Sequence, residues 1–138
     1  MNNNQLQIMI LYVLGFHTDE NMFLIRHDGN VLTLSGVPVY IDDGVSGIYH
    51  ENAICLDMIN NINHAKSIFE YVNFTISSTK GICVYGYYDE FQERQMSISV
   101  RTDTQLLSSL FYNNHCLAYL DILLQLHRVF VDLKTIDR

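Results

Sequence analysis

Tryptophan is absent, proline occurs once at Pro38, and only eight Lys and Arg stand against fifteen Asp and Glu. The formal net charge of −7 excludes a general cationic surface for long nucleic acid, because that affinity comes from counterion release at Lys and Arg clusters. Any anionic ligand must therefore be held by a local pocket. No run rich in Pro, Gly or Ser marks a linker and no internal repeat is visible, so residues 1–138 read as a single domain. Apolar runs are short as well. The longest, IMILYVLGF (8–16), is about half of the roughly 18 residues a membrane span needs, so no membrane partner is expected. No Lys or Arg precedes it in MNNNQLQ, which lacks the charged start of a secretory signal. The three cysteines, Cys55, Cys83 and Cys116, form no C-x-x-C pair and read as buried thiols of a reducing cytoplasm.

What is present is a core-forming composition, 49% hydrophobic with 17% charged residues, at a length suited to one compact fold. LQIMILYVLGF (6–16) is too continuous for an amphipathic helix and reads as a buried strand. MFLIRH (22–27) and VLTLSG (31–36) read as two strands of a hairpin turning at Asp28-Gly29. Ile48, Cys55, Ile59 and Ile62 then recur at helical spacing, predicting a helix over about 46–64 capped by Ser46. IFEYVNFTISS (68–78), GICVYGYYD (81–89) and MSISVRT (96–102) read as three further strands. Helix is expected again in DTQLLSSLF (103–111) and in NHCLAYLDILLQLHRVF (114–130). This order predicts an α/β fold, a mixed β-sheet covered by helices.

The order of elements and the stretch LSGVPVYIDDGVSGIYHENAICLDM (34–58) together resemble the Nudix hydrolases. The family signature is G-x5-E-x7-R-E-U-x-E-E-x-G-U, with U a bulky aliphatic residue. YVLGF (12–16) looks like the family's first strand, IDDG (41–44) like the turn inside the motif, and NNHCLAYL (113–120) like its closing helix. The resemblance implies a Nudix-like α/β/α sandwich. Anchored on Gly36, Ile41 and Gly44, the signature falls on residues 39–61, and its acids are missing there. Val39 replaces the first glycine and Val45 the first glutamate, while Ala53 and Ile54 replace the Arg-Glu pair. Asp57 and Met58 stand for the two consecutive glutamates, and Asn60 for the last glycine. On a helix, positions 54, 57 and 58 share one face. With one carboxylate that face cannot assemble the usual Mg²⁺ site, so no metal, no cofactor and no hydrolysis by the family mechanism are expected.

Six histidines form no H-E-x-x-H or H-x-H pattern, His50 and Glu51 read as solvated polar residues, and the carboxylates of Asp42-Asp43-Gly44 suit a turn. The tyrosines offer more. Tyr12, Tyr40, Tyr85 and Tyr87 could present aromatic faces to a nucleobase. By resemblance, Ser35 and Asn113 would meet a base, Arg26 a phosphate, and Asp57 would line the same groove. The leading expectation is a non-catalytic Nudix-fold protein that binds or sequesters a nucleotide-like small molecule. By analogy it would act as a phage or viral counter-defence sponge for a nucleotide immune signal in the host cytoplasm. A second expectation is an interaction or homodimer module burying an apolar patch around Ile54 and Met58, with residual pyrophosphohydrolase activity as a third.

Overall fold

A computed structural model describes residues 2–80, 84–102 and 105–136, with side chains described for 2–73, 88–102 and 105–129. Two compact units divide the chain, Met1–Met58 and Ile59–Arg138. Both mix helix with sheet, so the class is α+β.

The first unit opens with a helix, α1 (Asn3–Val13), where the apolar run predicted a strand. Its start is fixed by a reciprocal capping box: Gln5 N donates to Asn2 Oδ1 while Asn2 N donates to Gln5 Oε1. Gln7, Ile10, Leu11 and Leu14 are buried at spacings of three, one and three, the stripe of an amphipathic helix. The opposite face carries Met9, Tyr12 and Val13, which are apolar yet exposed. An all-apolar run hides this periodicity, and that is why it resembles a strand.

β1 (His17–Thr18) pairs antiparallel with β2 (Leu24–Ile25), and the Asp28-Gly29 turn forms as expected. Arg26 N donates to Asn30 O, Asn30 N to Asp28 Oδ1, and Gly29 takes φ +87. The second strand of that hairpin is reduced to a bridge, Ile25 to Val31. A second two-residue turn follows. Ser35 and Gly36, at φ +52 and +79, join β3 (Thr33–Leu34) to β4 (Val37–Tyr40).

The helix predicted over 46–64 does not form. Gly44 and Gly47 take left-handed φ, and Asp43 Oδ1 gathers the Val45 and Ser46 amides and the Ser46 hydroxyl into a turn. Ser46 therefore donates to a turn and does not cap a helix. β5 (Ile54–Cys55) then lies parallel to β4, and Leu56 N donates to Tyr40 O. This sheet, β3-β4-β5, is small and mixed.

In the second unit, α2 (Ile62–Lys80) absorbs the segment 68–78 that predicted a strand. Asn61 Oδ1 accepts from the amides of Asn63 and His64, and Ala65, Ile68, Phe69 and Val72 are buried on one face. The strands predicted over 81–89 and 96–102 appear as β6 (Val84–Gln92) and β7 (Gln95–Thr102), with 81–83 outside the described residues, and they pair as a hairpin closed by Glu93-Arg94 with Glu93 at φ +57. Where a helix was expected over 103–111, β8 (Leu106–Ser108) pairs with β7. Ser109 completes the edge by accepting from Ile98 N through its hydroxyl and donating to Ile98 O through its amide. α3 (His115–Ile136) ends the chain as predicted. The single mixed sheet expected from sequence is thus three small sheets among the described residues. No helix of the described residues is long and apolar enough to cross a membrane.

Candidate functional site

The segment 39–61, on which the resemblance placed the Nudix signature, does not form the helical face that the resemblance implied. Ile54 lies in β5, Asp57 follows it in extended chain, and Met58 is fully buried. The i, i+3, i+4 relation that would align residues 54, 57 and 58 exists only on a helix, and none spans them. This also removes the exposed apolar patch expected around Ile54 and Met58. Gln7 covers the segment instead: its Nε2 donates to Leu56 O at 3.0 Å, and Met58 N donates to its Oε1 at 2.6 Å.

Within the first unit the predicted ligand residues are dispersed by role. Tyr12 is half exposed on α1, and its hydroxyl shares a hydrogen bond with Thr18. Arg26 pairs with Asp28 across the turn. The Asn30 amide, with Arg26 adding to it, holds the Asp28 carboxyl below its ordinary range. Ser35 is exposed in the β3-β4 turn. Tyr40 is buried, its ring edge-on to His50 at 5.0 Å and to Tyr49 at 6.4 Å. Burial raises the Tyr40 phenol above its ordinary value, and the neighbouring Cys55 thiol adds to the effect.

His50 is the residue that sequence reasoning undervalued. It stacks on Phe23 at 4.2 Å and donates from Nε2 to Asn21 O at 2.7 Å, so it packs rather than standing solvated. Two aspartates expected in a turn are found in one: Gly44 N donates to Asp42 Oδ1, and Asp43 receives the three bonds already described. Those backbone bonds hold the Asp43 carboxyl below its ordinary range. The charge of this unit is one-sided. Residues 1–58 hold seven carboxylates and a single Lys or Arg, Arg26, which is already paired with Asp28.

In the second unit, Asn113 is exposed just ahead of α3, and its neighbour Asn114 takes the structural role. Asn114 Oδ1 accepts from Cys116 N at 3.0 Å, and its Nδ2 donates to Ile59 O at 2.9 Å. The side chains of Tyr85 and Tyr87 lie outside the described residues. Among the described residues no group of three or more His, Cys, Asp or Glu is arranged to hold a metal ion.

The feature that emerges here is an edge. Among the described residues β6 pairs only with β7, and residues 88–92 are all exposed, with Tyr88 at 53% and Phe91 at 56%. On β7, Met96 exchanges backbone bonds with Tyr112, and Ile98 bonds to Ser109, so these even positions face β8. Their neighbours at 95, 97 and 99 therefore bond to Gln92, Glu90 and Tyr88 of β6. Asp89 and Phe91 consequently aim their N–H and C=O groups away from the sheet. The tip of the hairpin is held in place by α3: His115 Nε2 donates to Arg94 O, and its ring meets Phe91 edge-on at 5.6 Å.

No protein-family profile matches the chain, and neither curated proteins nor solved structures yield a match to it.

Proposed function

We propose that this chain is a non-catalytic interaction module that binds another polypeptide through the edge of its C-terminal sheet. The observation that carries the reading is β6, a nine-residue edge strand whose described half is exposed and includes two aromatic side chains. A strand edge offers directional backbone bonds, and exposed aromatics beside it supply apolar area, which is how sheets accept extended chain. Most natural edges are shorter or covered.

A nucleotide-sequestering Nudix-like domain is the competing reading, and the first unit gives it little to work with. Its one cation is engaged and its seven carboxylates repel phosphate. Recognition of a nucleotide there would have to rest on stacking and neutral hydrogen bonds.

Cross-linking and mass spectrometry of the protein isolated from its native source tests the proposal. Peptides 84–94 are expected in cross-links to a polypeptide, and no nucleotide is expected among released small molecules. Saturable calorimetric binding of a nucleotide, with no polypeptide cross-linked to that strand, overturns it.

A further inference from the structure

The interaction reading leaves the identity of the partner open, and the register of β6 points to a second copy of the chain. This inference rests on that reading and names its partner. Two identical strands pair antiparallel about a two-fold axis, and the pleat requires outward-bonding positions to meet outward-bonding positions. With Asp89 and Phe91 bonding outward, an axis must fall on a whole residue of β6.

The charges then select among the axes. Centred on residue 89, Asp89 would meet its own copy, and centred on 90, Glu90 would meet its own copy. Centred on 91, Asp89 would meet Glu93. Like charges directly opposite are destabilising. Centred on Tyr88, Asp89 and Glu90 fall opposite positions 87 and 86, which are uncharged in sequence. Residue 88 is also the midpoint of Val84–Gln92, and about it residues 86–90 pair with their copies in regular register, clear of the irregularity between Val84 and Gly86. The regular part of the resulting contact is roughly 17 Å long at about 3.4 Å per residue. Acidic residues on an edge ordinarily oppose pairing. Here they exclude the axes at 89, 90 and 91, and of the axes that remain Tyr88 gives the longest regular overlap.

We infer that the chain forms an isologous homodimer in which β6 pairs with β6 about a two-fold axis at Tyr88. The three-stranded sheets of two copies then become one continuous six-stranded antiparallel sheet.

At Tyr88 the two copies meet in a non-hydrogen-bonded pair with Cα atoms about 4.5 Å apart, within the range a disulfide needs. Gln92 would lie roughly 27 Å from its own copy by the strand rise. The test uses the full chain carrying Cys55→Ser and Cys83→Ser, with either Tyr88→Cys or Gln92→Cys added. Under mild oxidation the Tyr88→Cys protein is expected to run as a covalent dimer and the Gln92→Cys protein as a monomer. Equal cross-linking of the two overturns the register.

Hydrogen exchange on the unaltered chain gives a second reading that needs no cysteine. The Asp89 amide is expected to slow by on the order of tenfold between submicromolar and high micromolar protein, together with a doubled mass in sedimentation. A monomer at every concentration that still cross-links a different polypeptide at 84–94 overturns self-pairing and leaves the interaction module standing. A monomer with no polypeptide on that strand overturns both.

Discussion

Met58 donates its backbone N–H to the side-chain oxygen of Gln7 at 2.6 Å, across 51 residues of sequence. Gln7 Nε2 in turn donates to Leu56 O, so one buried glutamine serves as the missing strand neighbour for residues 56–58. Buried backbone groups must be paired, and Gln7 is what allows this stretch to be extended instead of helical.

Gln7→Ala should therefore cost about 2–4 kcal/mol, because it orphans a buried N–H and a buried C=O together. Urea unfolding of wild type and variant measures this. A loss below about 0.5 kcal/mol would show that the pair is not maintained in solution.

Met58→Asp separates burial from surface function. With Met58 fully buried, a carboxylate there should unfold the first unit, with a cost of several kcal/mol. Val45→Asp, at a side chain 86% exposed, should stay within about 0.5 kcal/mol of wild type. Circular dichroism melts compare the two. A folded Met58→Asp protein contradicts the placement.

Gly15 sits at φ +96, and a Cβ added there would collide with the His27 ring, which bonds to Leu14 O. Gly36 also has positive φ, at +79, but opens onto empty space. Both alanine variants carry the left-handed penalty of about 1 kcal/mol. Gly15→Ala should melt lower than Gly36→Ala, since only it also displaces a ring, and equal melting would refute the contact.

Tyr112 donates its hydroxyl to Asp121 Oδ2 at 2.9 Å, and that carboxylate also accepts from Leu110 N and Gln125 Nε2. Burial first, then the Asp121 charge, raise the Tyr112 phenol above its ordinary value. With the folded value above the unfolded one, the stabilisation is fully present below about pH 10 and is lost as pH rises through the raised value. Phenolate absorbance should show a delayed fraction of the nine tyrosines. Tyr112→Phe and Tyr40→Phe should each shrink it, as both phenols are raised by burial. An unchanged delayed fraction would argue against the Asp121 latch.

Elements with local signals are legible in the amino-acid sequence. The β6-β7 hairpin and α3 are legible because alternation and the spacing of Leu117, Leu120 and Leu124 each agree with their surroundings. The Asp28-Gly29 and Asp43-Gly44 turns are legible for the same reason, since carboxylate and glycine chemistry act within a few residues. The charge imbalance of residues 1–58 is also a plain reading of sequence.

Elsewhere two local patterns competed, and contacts with distant segments set the outcome. Residues 6–16 have no polar alternation, so only the burial of Gln7, Ile10, Leu11 and Leu14 on one side reveals the helix. Ile48, Cys55, Ile59 and Ile62 keep helical spacing, yet pairing of Ile54 with Val39 and of Cys55 with Tyr40 draws that chain into a parallel strand. LLSS over 106–109 carries an aspartate start signal, but β7 supplies it with backbone partners and makes it a strand. Each of these outcomes depends on hydrogen-bond partners from distant sequence. Local propensity is worth tenths of a kcal/mol per residue, and leaving a buried peptide group unpaired costs more than that.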